Sequence, residues 1–172
     1  MEQQTVEENS EQPKQTEEQN ELDEQDRQFM AQFARRVRSG EKLAEIFGMD
    51  DEQLETLEAL AYRLYRNRQF DQARVACRGI LALDEDRVLT QLMLGDVALE
   101  QGQFGQAVKH LGHAWQLDPE RLEVRSRLGE ALLKRGDTEQ ARDHLEAVVA
   151  AGDRAGSNDQ KRCQVLLEAL NS

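Results

Sequence analysis

The sequence predicts an all-α fold built from repeated pairs of helices. Small residues recur every 34 positions, as alanine in one set and as alanine or glycine in another: Ala73, Ala107 and Ala141, then Ala61, Gly95 and Gly129. A fixed period of 34 residues is typical of helix-turn-helix units that stack on copies of themselves. A glycine inside a helix costs about 1 kcal/mol relative to alanine. We therefore expect the repeated glycines where two helices approach closely.

Residues 88–121 match the consensus of one such unit, the tetratricopeptide repeat. The matching residues in the two helices and the closing turn are Gln91, Leu94, Gly95, Ala98, Ala107, Leu111 and Pro119. The fold class predicted is a tetratricopeptide repeat solenoid of three helix-turn-helix repeats. We expect an N-terminal helix and a disordered acidic N-terminal tail before the repeats, and a C-terminal capping helix after them.

The tail comprises residues 1–21, which are mostly Glu, Gln, Asn, Ser and Thr. Such a composition cannot bury enough apolar surface to offset the entropy of ordering, so we predict disorder. A solubilising tail is the simple interpretation, and an acidic segment that occupies a basic partner is the alternative. Residues 22–48 form the N-terminal helical segment, with a helix over 22–38, a break at Gly40 and a short helix over 41–47. One face of the first helix is apolar and is the predicted dimerisation surface: Phe29, Met30, Phe33 and Val37.

The three repeats occupy residues 52–151, as approximate units 54–87, 88–121 and 122–155. Their predicted helices are 52–67 and 70–83, 87–101 and 104–117, then 121–135 and 138–150. Asp50 and Asp51 provide an N-cap region for the first of these helices. Gly102 and Gly136 recur at one phase and indicate helix C-termini. The capping segment is 158–172, with a helix over 159–170 that covers the end of the stack.

Composition limits the class of function. The net charge is −12, and residues 1–26 hold ten acidic side chains against Lys14 alone. No basic stripe exists, so neither nucleic acid nor an anionic membrane surface is an expected partner. No run of 18 apolar residues and no signal peptide is present. We expect a cytoplasmic protein whose two cysteines, Cys77 and Cys163, stay reduced.

The sequence offers little for catalysis. His110 and His113 are three residues apart, but a metal site needs three or four ligands at matching spacing. We therefore expect these histidines on a solvated helix face, with no metal, no cofactor, no catalytic residue and no enzyme activity, since no catalytic motif occurs either. The single tryptophan, Trp115, falls near the packing between repeats and is interpreted as core rather than as a docking anchor.

The groove side of the repeats carries the functional prediction. Counting each repeat from Leu54, Val88 or Leu122, the second, fifth, ninth and twelfth positions of its first helix should face the groove. Besides Glu55, Glu58, Glu123, Ser126 and Glu130, these positions hold the candidate partner-binding residues: Tyr62, Tyr65, Leu89, Leu92, Asp96, Leu99 and Leu133. Two tyrosines and several leucines with an acidic margin are typical of a peptide groove. The alternative is that a terminal segment of the chain covers this face.

The order of these elements resembles that of the class II chaperones of bacterial type III secretion, which hold hydrophobic translocator proteins before export. The resemblance covers about residues 29–170. Its local residues are the apolar helix and break at 29–40, the short piece 43–47, the stretch Leu54-Glu55-Thr56-Leu57-Glu58-Ala59-Leu60-Ala61-Tyr62-Arg63-Leu64-Tyr65, then 69–73 and Ile80-Leu81-Ala82-Leu83-Asp84. It implies that a translocator segment with spaced prolines and a leucine binds extended in the groove. It also implies a homodimer through the N-terminal helix.

The leading interpretation is a non-enzymatic cytoplasmic chaperone for a hydrophobic secreted translocator or an extended peptide segment of it. The alternative is a tetratricopeptide scaffold or regulator that mediates assembly of a bacterial protein complex. Tyr62 and Tyr65 match aromatic residues of the chaperones' groove.

Overall fold

A computed structural model describes residues 24–171, which fall into two units divided between Ser39 and Gly40. The predicted disordered tail, residues 1–21, lies outside the described residues. The described chain is all-helical, as predicted. In order, its elements are α1 (Glu24–Arg38), α2 (Leu43–Ile46), α3 (Asp51–Arg66), α4 (Phe70–Leu83), α5 (Val88–Glu100), α6 (Phe104–Leu117), α7 (Leu122–Arg135), α8 (Thr138–Ala150), a 3-10 turn (Gly152–Arg154) and α9 (Ser157–Leu170).

The first unit contributes α1. Its last turn carries Arg35, Arg36 and Arg38, where positive charge is favourable against the helix dipole. The rings of Phe29 and Phe33 stack one turn apart, with centroids 6.4 Å from each other. The apolar face expected from the sequence is therefore present on this helix.

The second unit contains the helical pairs α3–α4, α5–α6 and α7–α8. Their bounds agree with the sequence predictions to within one residue. The start of α3 is fixed by a capping box, as the acidic residues before it indicated. The Asp50 carboxylate accepts a hydrogen bond from the backbone N–H of Gln53 at 2.9 Å, and the Gln53 side chain accepts one from the Asp50 N–H at 3.1 Å.

The turn inside each pair requires a left-handed residue at one repeat phase. Gly102 and Gly136 supply it in the second and third repeats, with φ of 69° and 100°. Arg68 stands at the same phase of the first repeat with φ of 59°. A residue with a Cβ pays a conformational cost there that glycine avoids.

The repeated helical glycines mark close contacts between the helices of a pair, as expected. A Cβ built on Gly95 would lie 2.4 Å from the Leu111 side chain, and one on Gly129 would lie 2.8 Å from the Leu145 side chain. Both leucines are fully buried. Glycine at this phase lets the first helix pack directly onto the leucine of the second.

Helix α5 lies at the centre of the unit and packs against α3, α4, α6 and α7. Nine of its residues are buried, so it has no solvent-facing polar side of the usual kind. The stack ends with α9, which packs on α7 and α8 through a cluster that includes Leu145, Val148 and Cys163. This is the capping position expected for the last helix.

Trp115 packs against the core of the second and third repeats and meets the ring of His144 edge-on at 5.0 Å. The core interpretation of this residue is confirmed.

The expectation of a solvated face for the other two histidines is wrong. The Nδ1 atom of His110 lies 2.9 Å from the side-chain oxygen of Gln91, and the Nδ1 atom of His113 lies 3.0 Å from its side-chain nitrogen. Gln91 itself is buried.

Candidate functional site

A mainly apolar cleft of about 440 Å³ lies among the first helices of the repeats. Helix α3 and helix α5 form its walls, and the first turn of α7 closes one end. Its lining consists of aromatic, aliphatic and acidic side chains: Glu55, Glu58, Ala59, Tyr62, Tyr65, Arg87, Leu89, Leu92, Met93, Asp96 and Glu123. We call this concavity the first-repeat cleft.

Two tyrosines on α3 dominate its wall. Their ring centroids are 6.4 Å apart, because positions three residues apart lie on one face of a helix. Tyr62 is 49% exposed, and Arg66 donates a hydrogen bond to its hydroxyl at 3.2 Å. Tyr65 is half-buried against Phe70, and burial together with nearby Asp96 raises its pKa. The pair presents one accessible ring and one anchored ring.

The structure brings five of the seven predicted partner-binding residues to this cleft: Tyr62, Tyr65, Leu89, Leu92 and Asp96. Leu89 is 42% exposed and offers an accessible apolar side chain. Leu99 lines a smaller neighbouring concavity of about 200 Å³ with Tyr65 and Asp96. Leu133 is partly buried against the core and lines neither concavity.

Leu92 and Leu99 are core residues, which corrects the prediction that they are free to face the groove. That prediction rested on the packing within the second repeat, which does not need them. Their exposures are only 5% and 8%, because they join the core cluster that contains Val124 and Leu128 of α7. Their packing is between repeats rather than within one, which the pattern of a single helix does not reveal.

Beneath the cleft lies a buried ion pair that sequence reasoning missed. Glu58 was expected to face the groove, but it is only 5% exposed. Arg87 donates to its carboxylate from Nη2 at 2.8 Å, and the Thr90 hydroxyl donates at 2.6 Å. Arg87 also donates to Asp51 at 2.9 Å. The pair joins α3 to the start of α5 and fixes the width of the cleft floor.

A second charged group lies at the boundary with the third repeat. Asp96 Oδ1 is 3.3 Å from Arg127 Nε, and Glu130 pairs with Lys134 at 3.1 Å. Arg162 of α9 lies 3.9 Å from Glu130. Burial raises the pKa of Asp96 to about 6, although Arg127 lowers it. Asp96 lines the cleft, and the other members of this network lie beyond it.

The site has the features of a binding surface. Among residues 24–171, no group of three or more His, Cys, Asp or Glu side chains could hold a metal ion. No helix of that part of the chain is long and apolar enough to cross a membrane. The cleft instead combines an accessible tyrosine, an accessible leucine and carboxylates, which suits contacts with a peptide.

Helix α1 carries the predicted dimerisation residues on its surface. Phe29, Met30 and Val37 are exposed, and Phe33 is partly exposed. An aromatic face of this kind on a single helix is a candidate for association with a second apolar surface.

Comparisons with known proteins identify the fold. The tetratricopeptide repeat family model matches residues 98–157, from the end of α5 to the start of α9. No curated protein sequence matches significantly. The tetratricopeptide repeat match covers α6, α7 and α8, and the same helical pairing extends back to α3.

Solved structures with a similar architecture include proteins of type III secretion. A chain in a T3SS complex from Aeromonas hydrophila superposes with a TM-score of 0.71 at 22% identity, covering 82% of this chain and 95% of that one. The translocator chaperone SycD of Yersinia enterocolitica gives 0.66 at 21% identity, covering 74% and 97%. PcrH of Pseudomonas aeruginosa gives 0.66 at 23% identity, covering 72% and 96%. SycD has been solved with a peptide of the translocator YopD, and PcrH with the chaperone binding region of PopD.

Proposed function

We propose that this chain is a non-enzymatic cytoplasmic chaperone that binds a hydrophobic type III secretion translocator before export. The observation that carries the proposal is the first-repeat cleft, with its exposed tyrosine and leucine on the first helices of a tetratricopeptide array. The architecture it shares with SycD and PcrH supports the assignment, because both have been solved with segments of translocators.

The mechanism is binding without chemistry. An extended translocator segment lies along the first helices and inserts apolar side chains beside Tyr62, Tyr65 and Leu89. Tyrosine rings supply large contact areas at a small cost in side-chain entropy. Covering apolar translocator surface removes it from contacts that would otherwise lead to association.

Two substitutions on accessible side chains test this role. Changing Tyr62 to Ala removes an aromatic anchor, and Leu89→Glu places charge on the apolar wall. Loss of such an anchor typically costs about 2 kcal/mol, or roughly a 30-fold weaker Kd. The measurement is calorimetric titration with the partner protein, identified first by pull-down from the native bacterium. Leu92→Glu is unsuitable, because Leu92 is core.

The matched control is Val75→Glu. Val75 is an exposed apolar residue on α4, outside the cleft. The control should bind normally, and circular dichroism of all three variants should stay native. Full affinity in both cleft variants would refute binding at the cleft.

We also propose that the free protein is a homodimer through α1. Its face of Phe29, Met30, Phe33 and Val37 would be buried twice in a symmetric pair. Replacing Phe29 and Phe33 by Glu should move sedimentation towards the monomer while the helical content of the repeats is unchanged. An unaltered protein that already sediments as a monomer at micromolar concentration would rule out the dimer.

The alternative, a scaffold that links parts of a bacterial assembly, makes a different prediction for the same pull-down. A scaffold should recover several folded proteins at once, whereas a chaperone should recover a protein with a long apolar segment. The cleft variants distinguish the two further, since a translocator should aggregate when co-expressed with Tyr62→Ala.

A further inference from the structure

The charges of the first-repeat cleft do not balance. Its lining holds four carboxyl groups against one guanidinium. That guanidinium, Arg87, is committed to Glu58 and Asp51. Glu55 has no ion pair among residues 24–171, and the contact of Glu123 with Arg121 is long, at 3.8 Å. A cleft with apolar walls thus retains a surplus of negative charge.

Asp96 is the most buried of the cleft carboxylates that Arg87 does not pair with. Its side chain is 12% exposed, and its Oδ1 atom is shielded from solvent without a hydrogen bond among the described residues. Arg127 is near but is not oriented to donate to it. A buried carboxylate oxygen without a donor is costly, so a ligand that supplies a donor there gains affinity.

The groups around Asp96 do not cancel its charge from every side. Helix α7 presents Glu123 and Glu130 as well as Arg127, α9 presents Arg162, and α3 presents the Tyr65 hydroxyl. Lys134 pairs with Glu130 at 3.1 Å, so these neighbours are two acids and three bases. Asp96 itself and Glu55 of the cleft add two more negative charges, which leaves an excess of one. The field inside the cleft remains suited to a cation.

The acidic N-terminal segment of this chain does not have the chemistry to occupy the cleft. Residues 1–26 carry ten acidic side chains and Lys14 as their one basic group. Like charges in a cleft with low-dielectric walls repel strongly. A wholly apolar segment fits poorly as well, because it would bury the Asp96 carboxylate further without supplying a donor.

We propose that the partner segment places a lysine or arginine in the first-repeat cleft, with an apolar residue beside it. The aliphatic stem lies against Tyr65 and Leu92, the cationic head reaches Asp96 and Glu123, and the neighbouring apolar side chain contacts Tyr62 and Leu89. This inference rests on the proposed function and adds a charge requirement to it. The basic residue selects one segment among the many apolar segments of a secreted protein.

The two kinds of ligand respond to pH in opposite directions. A cationic ligand favours the ionised carboxylate, so its affinity should fall as Asp96 becomes protonated near pH 6. An apolar ligand favours the protonated form, so its affinity should rise over the same range. A ligand that ignores Asp96 should show neither change.

The test uses three fluorescein-labelled synthetic peptides that differ at one position. Each contains prolines flanking a central Leu-Lys-Leu, with the lysine kept, replaced by methionine or replaced by glutamate. Fluorescence anisotropy with the full chain should rank them lysine, methionine, glutamate. The lysine peptide should bind about tenfold tighter than the methionine peptide, which corresponds to about 1.4 kcal/mol.

Asp96→Asn should bring the ratio between the lysine and methionine peptides close to one. Asp143→Asn, a matched change on the exposed surface of α8, should leave the ratio unchanged. Equal binding of the two peptides to the unaltered protein would overturn the charge requirement while leaving the chaperone role in place. Cleft variants that bind the whole translocator normally would instead remove the proposed function.

Discussion

The groove of this protein has two halves that handle charge differently. In the first half, Glu58 and Arg87 form a buried pair, and the surface above them stays apolar and open around Tyr62 and Leu89. In the second half, Arg127, Glu130, Lys134 and Arg162 form an ion-pair network near the surface. The buried Glu58–Arg87 pair leaves the first half of the groove open to a ligand. The ion pairs of the second half lie near the surface, and their side chains occupy the groove there.

The two halves of the groove also differ in how far neighbouring helices cover their first helices. Helix α3 has only three buried residues and exposes its tyrosine face, because no repeat precedes it within residues 40–171. Helix α7 lies between α5 and the capping helix α9. The open half of the groove therefore lies at the first repeat, and the half with the ion-pair network lies next to the capping helix α9.

Removing the buried cation should produce the largest loss of stability. Arg87→Ala leaves the Glu58 carboxylate buried with only the Thr90 hydroxyl as a donor, which should cost about 3 kcal/mol. Arg127→Ala should cost about 1 kcal/mol, because Glu130 keeps Lys134 at 3.1 Å and Arg162 at 3.9 Å. Urea denaturation measures both free energies of unfolding.

A double variant checks the cause. Glu58→Met with Arg87→Met removes both charges and should recover most of the lost stability, because an apolar pair replaces an ion pair with little penalty. If the double variant is as unstable as Arg87→Ala, the loss comes from the contact with Asp51 or from the start of α5.

The close glycine contacts should be nearly as sensitive, and more so in the second repeat than in the third. Gly95→Ala places a Cβ 2.4 Å from Leu111, and Gly129→Ala places one 2.8 Å from Leu145. Overpacking of this kind costs about 1–3 kcal/mol. Gly112→Ala, also in a helix, meets nothing within 4 Å and should stabilise by about 0.5 kcal/mol or more. Thermal midpoints by circular dichroism should follow that order.

The 34-residue period was enough to predict the helices, because each repeat uses the same local contacts. It predicted the close glycines and the accessible second position of each first helix, as Leu89 shows. It failed at the fifth position, where Glu58, Leu92 and Ser126 are all buried. Those side chains pack between adjacent repeats, and the contact joining Glu58 to Arg87 spans 29 residues. Helical periodicity reports one helix at a time and carries no information on such contacts.

The charge of Asp96, which lines the cleft, should have a pH-dependent effect on stability. Burial raises the pKa of Asp96 to about 6 from its ordinary 3.8. Between these values the folded protein binds more protons than the unfolded chain, so this group makes the fold less stable as pH rises through about 6. Asp96→Asn should therefore stabilise the protein at pH 7.5 by about 1–2 kcal/mol. The difference should fall to about half of that at pH 5, because the loss builds up as the pH rises from 3.8 to about 6. Urea midpoints at the two pH values, with Asp143→Asn as the exposed control, measure it. A gap that is the same at both pH values would mean that Asp96 is not destabilised by its charge, and that its neighbours already compensate for burial.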